Sequence, residues 1–236
     1  KLADFVIDHY YPQLKGKDSC LQLLKTVILS TAVMIARWQA QGFAHGVMNS
    51  DNMSILGLTI DYGPFSFMET YNPSFICNHS DHQGRYSFER QPSVALWNLD
   101  RLANAVRSLI DETHLKDALA EYEGFLVKEY SALMRQKFGL VEVNEDDSKL
   151  VNDYLQLLYV HRKDYPLSMR LLSKEDNNMG SDFDSWFQRY HQRLTQEKIK
   201  PNQRQKSMDS VNPKYVLRNY LAEVAIRKAE DQQQFD

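Results

Sequence analysis

Residues 45–64 read HGVMNSDNMSILGLTIDYGP, and the function of the chain depends on what this stretch does. It follows one of the most apolar segments of the sequence, residues 20–41. Two interpretations are open: the stretch is a surface turn rich in turn-forming residues, or it holds an ion and a reacting group. Its candidate polar side chains are His45, Asn49, Asp51, Asn52 and Asp61.

The overall composition is that of an ordinary globular protein, and it excludes some classes of partner. The chain has 236 residues, of which 43% are hydrophobic and 25% are charged. A net charge of −3 provides no global positive field, so we predict no nucleic-acid partner. The two cysteines, Cys20 and Cys77, are too few for a disulfide framework and indicate a reducing compartment. The first residues, KLADFVIDHYYPQL, do not resemble a signal peptide.

Apolar residues recur at helical spacing along residues 20–41, which predicts a long helix ended by Gly42. Lys25 and Arg37 fall inside this run, so we predict a buried helix and no membrane partner. In the following loop, apolar residues at 53, 55, 58 and 60 flank Gly57. This pattern predicts two very short strands around a tight turn.

The rest of the chain is predicted to be mainly helical, apart from residues 63–93, which show no clear periodicity. We divide the chain into leading helices (1–43), a catalytic and activation-like segment (44–93) and a helical remainder (94–236). Pro213 is expected in the first turn of the last helix. Besides 20–41, helices are predicted over 2–11, 95–110, 115–140, 143–162, 181–198 and 211–231.

Asn52 and Asp61 are the candidate metal ligands of the loop. They stand at the two ends of the predicted hairpin, where an amide oxygen and a carboxylate can converge. Hard oxygen ligands of this kind suit Mg²⁺ or Mn²⁺. Neighbours on an extended chain point to opposite sides, so Asp51 can face a reacting group while Asn52 faces the ion.

This arrangement resembles the catalytic segment of protein kinases, where H-R-D-x-x-x-x-N supplies a base and a metal-binding Asn, and D-F-G a metal-binding Asp. His45 and Asn52 have the spacing of that motif, and Asp61 begins the sequence DYG. The position of the usual kinase base, however, is Val47. A kinase-like phosphotransferase is therefore the alternative rather than the leading hypothesis.

Residues 45–65, followed by FICNHSDHQGRYSFERQPSVALWNLDRLA at 75–103, closely resemble the selenoprotein O family, known in bacteria as YdiU. The resemblance implies a mainly α, protein-kinase-like C-terminal lobe and an enzyme that transfers AMP from ATP to Ser, Thr or Tyr hydroxyls of proteins. It assigns Asp51 as the proton acceptor and Asn52 and Asp61 as the metal ligands. Asp61 is also expected to contact the nucleotide through the metal. A non-catalytic nucleotide-binding or scaffold module is the third hypothesis.

The resemblance carries further expectations about the rest of the protein. The N-terminal nucleotide-binding lobe of the family has no counterpart here, so that lobe is an expected partner. Cys77 is a candidate redox residue, because a cysteine of this segment pairs with the C-terminal tail in the family. Arg85 and Arg90 are candidate contacts to phosphate or to a protein substrate. The location is expected to be cytoplasmic in a bacterium, or mitochondrial in a eukaryote.

Overall fold

The computed structural model describes residues 1–175 and 179–235, and these are mainly helical. The predicted remainder, 94–236, includes residues 176–178 and 236, which lie outside the described residues. The helices are α1 (Leu2–Tyr10), α2 (Ser19–Gln41), α3 (Gln91–Ala105), α4 (Glu112–Lys137), α5 (Asp147–Val160), α6 (Tyr165–Leu172), α7 (Asp184–Leu194), α8 (Pro201–Val211) and α9 (Asn219–Gln232). The strands are β1 (Phe43–Ala44) and β2 (Ser66–Phe67).

Helix α2 is the long apolar helix that the sequence predicted. It ends at Gly42, whose φ of 67° is the left-handed conformation that favours glycine at a helix C-terminus. By length and composition α2 is also able to cross a membrane, a property it shares with core helices. Its apolar residues pack against α3 and α4, and Lys25 pairs with Glu121 of α4 at 2.7 Å.

Two apolar cores are joined by α4. The first core lies among α2, α3 and the first half of α4, where Tyr122 is buried. The second core lies among α5 to α8 and the last turns of α4, and Trp186 of α7 is fully buried there. Because α4 contributes Met134 and Tyr122 to different cores, it fixes the first core, which supports the polar loop, against the second.

Several helix predictions differ from the structure. Helices α6 and α8 were not predicted, although both carry a proline in the first turn, and Asp164 caps α6 by accepting the Leu167 N–H at 2.8 Å. The predicted helix 211–231 is wrong in its first part, because α8 ends at Val211 and α9 begins only at Asn219. Pro213 therefore lies between two helices.

The remaining helices lie where the periodicity placed them, with shifted ends. Helix α3 begins at Gln91, four residues before the predicted start at 95. The run 181–198 begins as a 3-10 turn over Ser181–Phe183 and continues as α7 only to Leu194.

A small β element holds the polar loop, but its strands are not the predicted ones. β1 and β2 are antiparallel, with Phe43 opposite Phe67 and Ala44 opposite Ser66, so they bracket the loop at its two ends. The predicted strands within 53–60 are wrong. Side chains satisfy this backbone instead: the Tyr11 hydroxyl donates to the Ile55 carbonyl at 2.7 Å.

Candidate active site

His45 is a buried residue that connects the two ends of the polar loop. Its side chain is fully buried and stacks on Trp38 with ring centroids 5.2 Å apart. Nε2 lies 2.7 Å from the Ile60 carbonyl oxygen, which can only accept, so Nε2 carries the proton. Nδ1 accepts the Val47 N–H at 3.4 Å. The ring thus uses one nitrogen as a donor and the other as an acceptor, and it orients the loop through the backbone.

Helix α3 holds the first part of the loop through two buried amide side chains. Gln91 accepts the His45 N–H at 2.9 Å and donates to the Phe43 carbonyl at 3.0 Å. Asn98 donates to the Met48 carbonyl at 3.0 Å. The backbone from β1 to Met48 is therefore fixed by side chains rather than by a longer sheet.

Asp51 and Asn52 lie in a 3-10 turn, Ser50–Asn52, just after this fixed segment. The Asp51 side chain is exposed, and Asn52 is half-buried. Asn52 Nδ2 donates to the Val47 carbonyl at 3.2 Å. Because a carbonyl requires a donor, the amide oxygen of Asn52 is the atom left available to a cation.

Asp61 lies on the other side of the loop, next to the residue that His45 binds. Its φ of 55° is left-handed, a conformation that aspartate tolerates better than most side chains. Its carbonyl accepts the Gly63 N–H at 2.8 Å, and its side chain is exposed. Both candidate ligands are thus anchored: Asn52 binds the Val47 carbonyl directly, and Asp61 follows Ile60, whose carbonyl binds His45.

One amide oxygen and one carboxylate fit a hard divalent cation that keeps several waters and also binds phosphate oxygens. Over residues 1–175 and 179–235, no group of three or more His, Cys, Asp and Glu residues is placed to hold a metal ion. The donor set therefore suits an ion that keeps several ligands from outside the protein better than a site closed by protein ligands alone.

Cys77 packs beneath the start of the loop. Its thiol donates to the Ala44 carbonyl at 3.5 Å, and Gly46 passes so close that a Cβ there would lie 2.6 Å from the sulfur. Burial raises the pKa of Cys77 to about 11, so the unreactive thiol form predominates at neutral pH. A redox role for Cys77 stays a prediction, and it would require this segment to open.

Arg85 and Arg90 lie in the segment between β2 and α3, and both are exposed. The Arg85 guanidinium lies over the Trp97 ring, 5.3 Å from its centroid, on the outer surface of α3. Arg90 donates to the Gly84 carbonyl at 3.3 Å. Next to Arg85, the Tyr86 hydroxyl donates to the Asn49 side chain. This contact places Arg85 near the loop that carries Asp51.

Three supporting residues were not found by sequence reasoning: Tyr86, Gln91 and Asn98. Their partners lie 37 to 50 residues away along the chain. No local pattern marks them, because each acts on backbone or side-chain atoms that only the tertiary fold brings near. Asn98 is a polar residue on the buried face of the helix predicted over 95–110, which was the one signal available, whereas Gln91 precedes that predicted start.

Comparison with known proteins places the chain in a defined protein family. The chain matches the family described as "Protein adenylyltransferase SelO" over residues 1–236. It belongs to this family, and the resemblance inferred from the sequence is confirmed.

Proteins named "Protein nucleotidyltransferase YdiU" are among its relatives. Those of Yersinia pseudotuberculosis serotype O:1b (strain IP 31758) and Yersinia pestis (strain Pestoides F) are each 48% identical to it over 242 residues. The alignments cover 98% of this chain and 50% of each relative. The chain thus spans about half the length of the curated relatives it matches.

Proposed function

We propose that this chain is the catalytic lobe of a protein adenylyltransferase that transfers AMP from ATP to Ser, Thr or Tyr hydroxyls of proteins. The observation that carries the proposal is the double anchorage of the loop. His45 binds the Ile60 carbonyl at 2.7 Å, and Asn52 binds the Val47 carbonyl at 3.2 Å. A turn that served only to reverse the chain would not need a fully buried imidazole to fix both of its arms.

In this proposal Asp51 accepts the proton of the attacking hydroxyl. The hydroxyl oxygen bonds to the α-phosphorus of ATP, the bond from that phosphorus to the bridging oxygen breaks, and pyrophosphate leaves. Asp51 suits this role because its carboxylate is exposed and sits on a turn whose backbone is fixed.

Asn52 and Asp61 would hold Mg²⁺ or Mn²⁺ through the amide oxygen and the carboxylate. The ion, when bound with ATP, offsets the charge that develops on the phosphate oxygens. Arg85 and Arg90 are proposed contacts to phosphate or to the protein substrate, since both are exposed. Arg85 also lies over the ring of Tyr86, whose hydroxyl binds Asn49 of the loop. Arg85 is oriented by the Trp97 ring beneath it.

We further propose that the chain has the architecture of a kinase-like C-terminal lobe and that ATP binding needs a second lobe. Support comes from the length comparison, since the relatives are about twice as long as the region matched. The two strands bracketing the loop and the helices behind it are compatible with such a lobe.

The test is an intact-mass assay with ATP and either Mg²⁺ or Mn²⁺. It should use the chain alone and the chain joined to the part of the Yersinia pseudotuberculosis relative that the alignment does not cover. We expect an adduct of the mass of AMP, with release of pyrophosphate, in the joined protein and its loss in Asp61→Ala. An adduct of the mass of phosphate would instead establish a phosphotransferase, and no adduct on the protein or on added cell extract would favour a non-catalytic module.

A further inference from the structure

Lys137, at the end of α4, is a buried amine with no anionic partner among the described residues. Its exposed fraction is 2%. Its Nζ donates to the Gln41 side-chain oxygen at 3.1 Å and to the Val211 carbonyl at 3.5 Å. It also lies over the Tyr165 ring, 5.8 Å from the centroid. Among the described residues, no carboxylate lies within ion-pair distance of Lys137.

The number of acceptors matters because it differs from the number of donors in the charged form. A neutral amine has two N–H donors, and the two oxygens of Gln41 and Val211 satisfy them. An ammonium group has three donors. The third N–H has no oxygen acceptor within the described part of the chain. An anion brought to Lys137 would supply the missing acceptor and the missing negative charge together.

A cavity of about 480 Å³ opens beside Lys137, within the size range of small-molecule sites. Its walls come from the end of α2, from β2, from α4, from the end of α8 and from the segment between α8 and α9. Tyr215, which is 80% exposed, lies on that last segment. The lining is mostly apolar, with Gln41, Lys137 and Ser210 as its polar members and Phe67, Leu133, Val211, Pro213, Tyr215, Val216 and Leu217 as the rest.

We propose that this cavity binds a small organic acid, with the carboxylate on Lys137 and an apolar or aromatic body against Leu133, Tyr215 and Leu217. A buried amine at one end and apolar walls elsewhere complement such a molecule. Phosphate alone would leave the apolar walls unused, and a neutral apolar molecule would leave the amine without an anion. This site is independent of the proposed AMP transfer and needs none of its residues.

The ionisation of Lys137 supports the same conclusion. Burial lowers its pKa to about 7, so the free site is only partly charged at neutral pH. A bound carboxylate stabilises the charged amine and should raise that pKa. On α8 the charged residue nearest in sequence to Val211 is Asp209, which is paired with Arg170 at 3.0 Å. Tyr165 from α6 and Tyr215 from the segment after α8 also lie beside the amine and the cavity. Lys214 is a further charged group there, since its Nζ lies over the Tyr215 ring, 5.0 Å from the centroid.

The experiment uses benzoate, 3-phenylpropionate and hexanoate as probes, with benzyl alcohol as the neutral counterpart of benzoate. Binding is followed by NMR on protein carrying ¹³Cε-labelled lysine, which also reports the pKa of Lys137 itself. At pH 6.5 we expect at least one acid to bind at least tenfold more tightly than benzyl alcohol. We also expect that acid to raise the pKa of Lys137 by at least one unit.

The matched variants are Lys137→Met, which keeps an unbranched side chain one atom shorter, and Lys128→Met, an exposed position on the same helix. Lys137→Met should weaken binding of the acid at least tenfold, whereas Lys128→Met should leave it unchanged. Tyr215→Ala should weaken binding severalfold without touching the buried amine. The proposal is overturned if none of the three acids binds, if benzyl alcohol binds as well as benzoate, or if the pKa of Lys137 does not move.

Discussion

The imidazole of His45 donates to the main-chain carbonyl of Ile60 at 2.7 Å, across 15 residues of chain. Through this bond a residue just after β1 fixes the position of the residue just before Asp61. The contact holds the two ends of the loop together, as the backbone hydrogen bonds of a longer hairpin would. It also separates the structural role of the histidine from the proton transfer that we assign to Asp51.

His45→Ala should destabilise the protein by about 3 kcal/mol. The substitution removes a buried ring packed on Trp38 and leaves the Ile60 carbonyl without its donor. Urea unfolding followed by circular dichroism measures the change. His79→Ala, at an exposed position of the same segment, should change stability by less than about 0.5 kcal/mol. Equal effects of the two substitutions would show that His45 does not anchor the loop.

Asp61→Gly should separate stability from activity. Asp61 has a φ of 55°, which glycine adopts at no steric cost, so the variant should be as stable as the parent protein or slightly more stable. Asp61→Ala keeps the strain without the carboxylate and should lose about 1 kcal/mol. AMP transfer by the joined protein should fall by about 100-fold or more in both variants. Transfer that survives in Asp61→Gly with unchanged metal dependence would remove Asp61 from the site.

The sequence was sufficient for features whose signals are local. The apolar period of α2, the glycine at its C-terminus and the polar loop after it were all visible in the order of residues. The strands were misplaced because alternation of apolar residues around Gly57 resembles a hairpin. The position of Gly57 against Ser30 of α2, where a Cβ would lie 2.9 Å from the Ser30 carbonyl oxygen, could not be inferred from the sequence.

Short helices and long-range supporting contacts are the main features that the sequence did not predict. Helix α6 is only eight residues long, too short for a clear apolar period, and its start signal is the capping aspartate Asp164. The role of Gln91 depends on backbone atoms 46 and 48 residues away. A single sequence does not identify the partners of contacts over that range.

The buried ion pair between Asp147 and Arg193 should be a main determinant of stability in the second core. Arg193 Nε donates to Asp147 at 2.7 Å, and both side chains are less than 10% exposed, at 7% and 4%. Asp147→Ala leaves a buried guanidinium with Glu197 as its remaining anionic partner, so we expect a loss of about 3 kcal/mol. Differential scanning calorimetry of the parent protein and the variant measures this loss of stability.

The exposed pair on the same helix provides the comparison for that experiment. Lys149 is 71% exposed and lies 3.0 Å from Asp153. Lys149→Ala should cost less than about 0.5 kcal/mol, because solvent screens this pair. A loss in Asp147→Ala no larger than that of Lys149→Ala would contradict the role given to the buried pair.

Lys137 should make stability rise with pH. Its pKa falls from the ordinary value of 10.5 to about 7 in the folded protein, because burial penalises the charged amine. Between these values the unfolded chain binds more protons, so the free energy of unfolding increases with pH, by at most about 1.4 kcal/mol per unit. Comparing urea unfolding of the parent protein and Lys137→Met from about pH 7 to pH 9 isolates this rise. Parallel pH curves would show that the amine is not desolvated.

The pairing of the Gln91 side chain with β1 also bears on self-association. β1 has two sides: β2 occupies one, and the Gln91 amide binds Phe43 and His45 as a neighbouring strand would. Exposed strand edges are sites where a second chain can add a strand and begin to aggregate. A side chain of α3 blocks this edge with its own donor and acceptor, so this two-stranded sheet is protected without being lengthened.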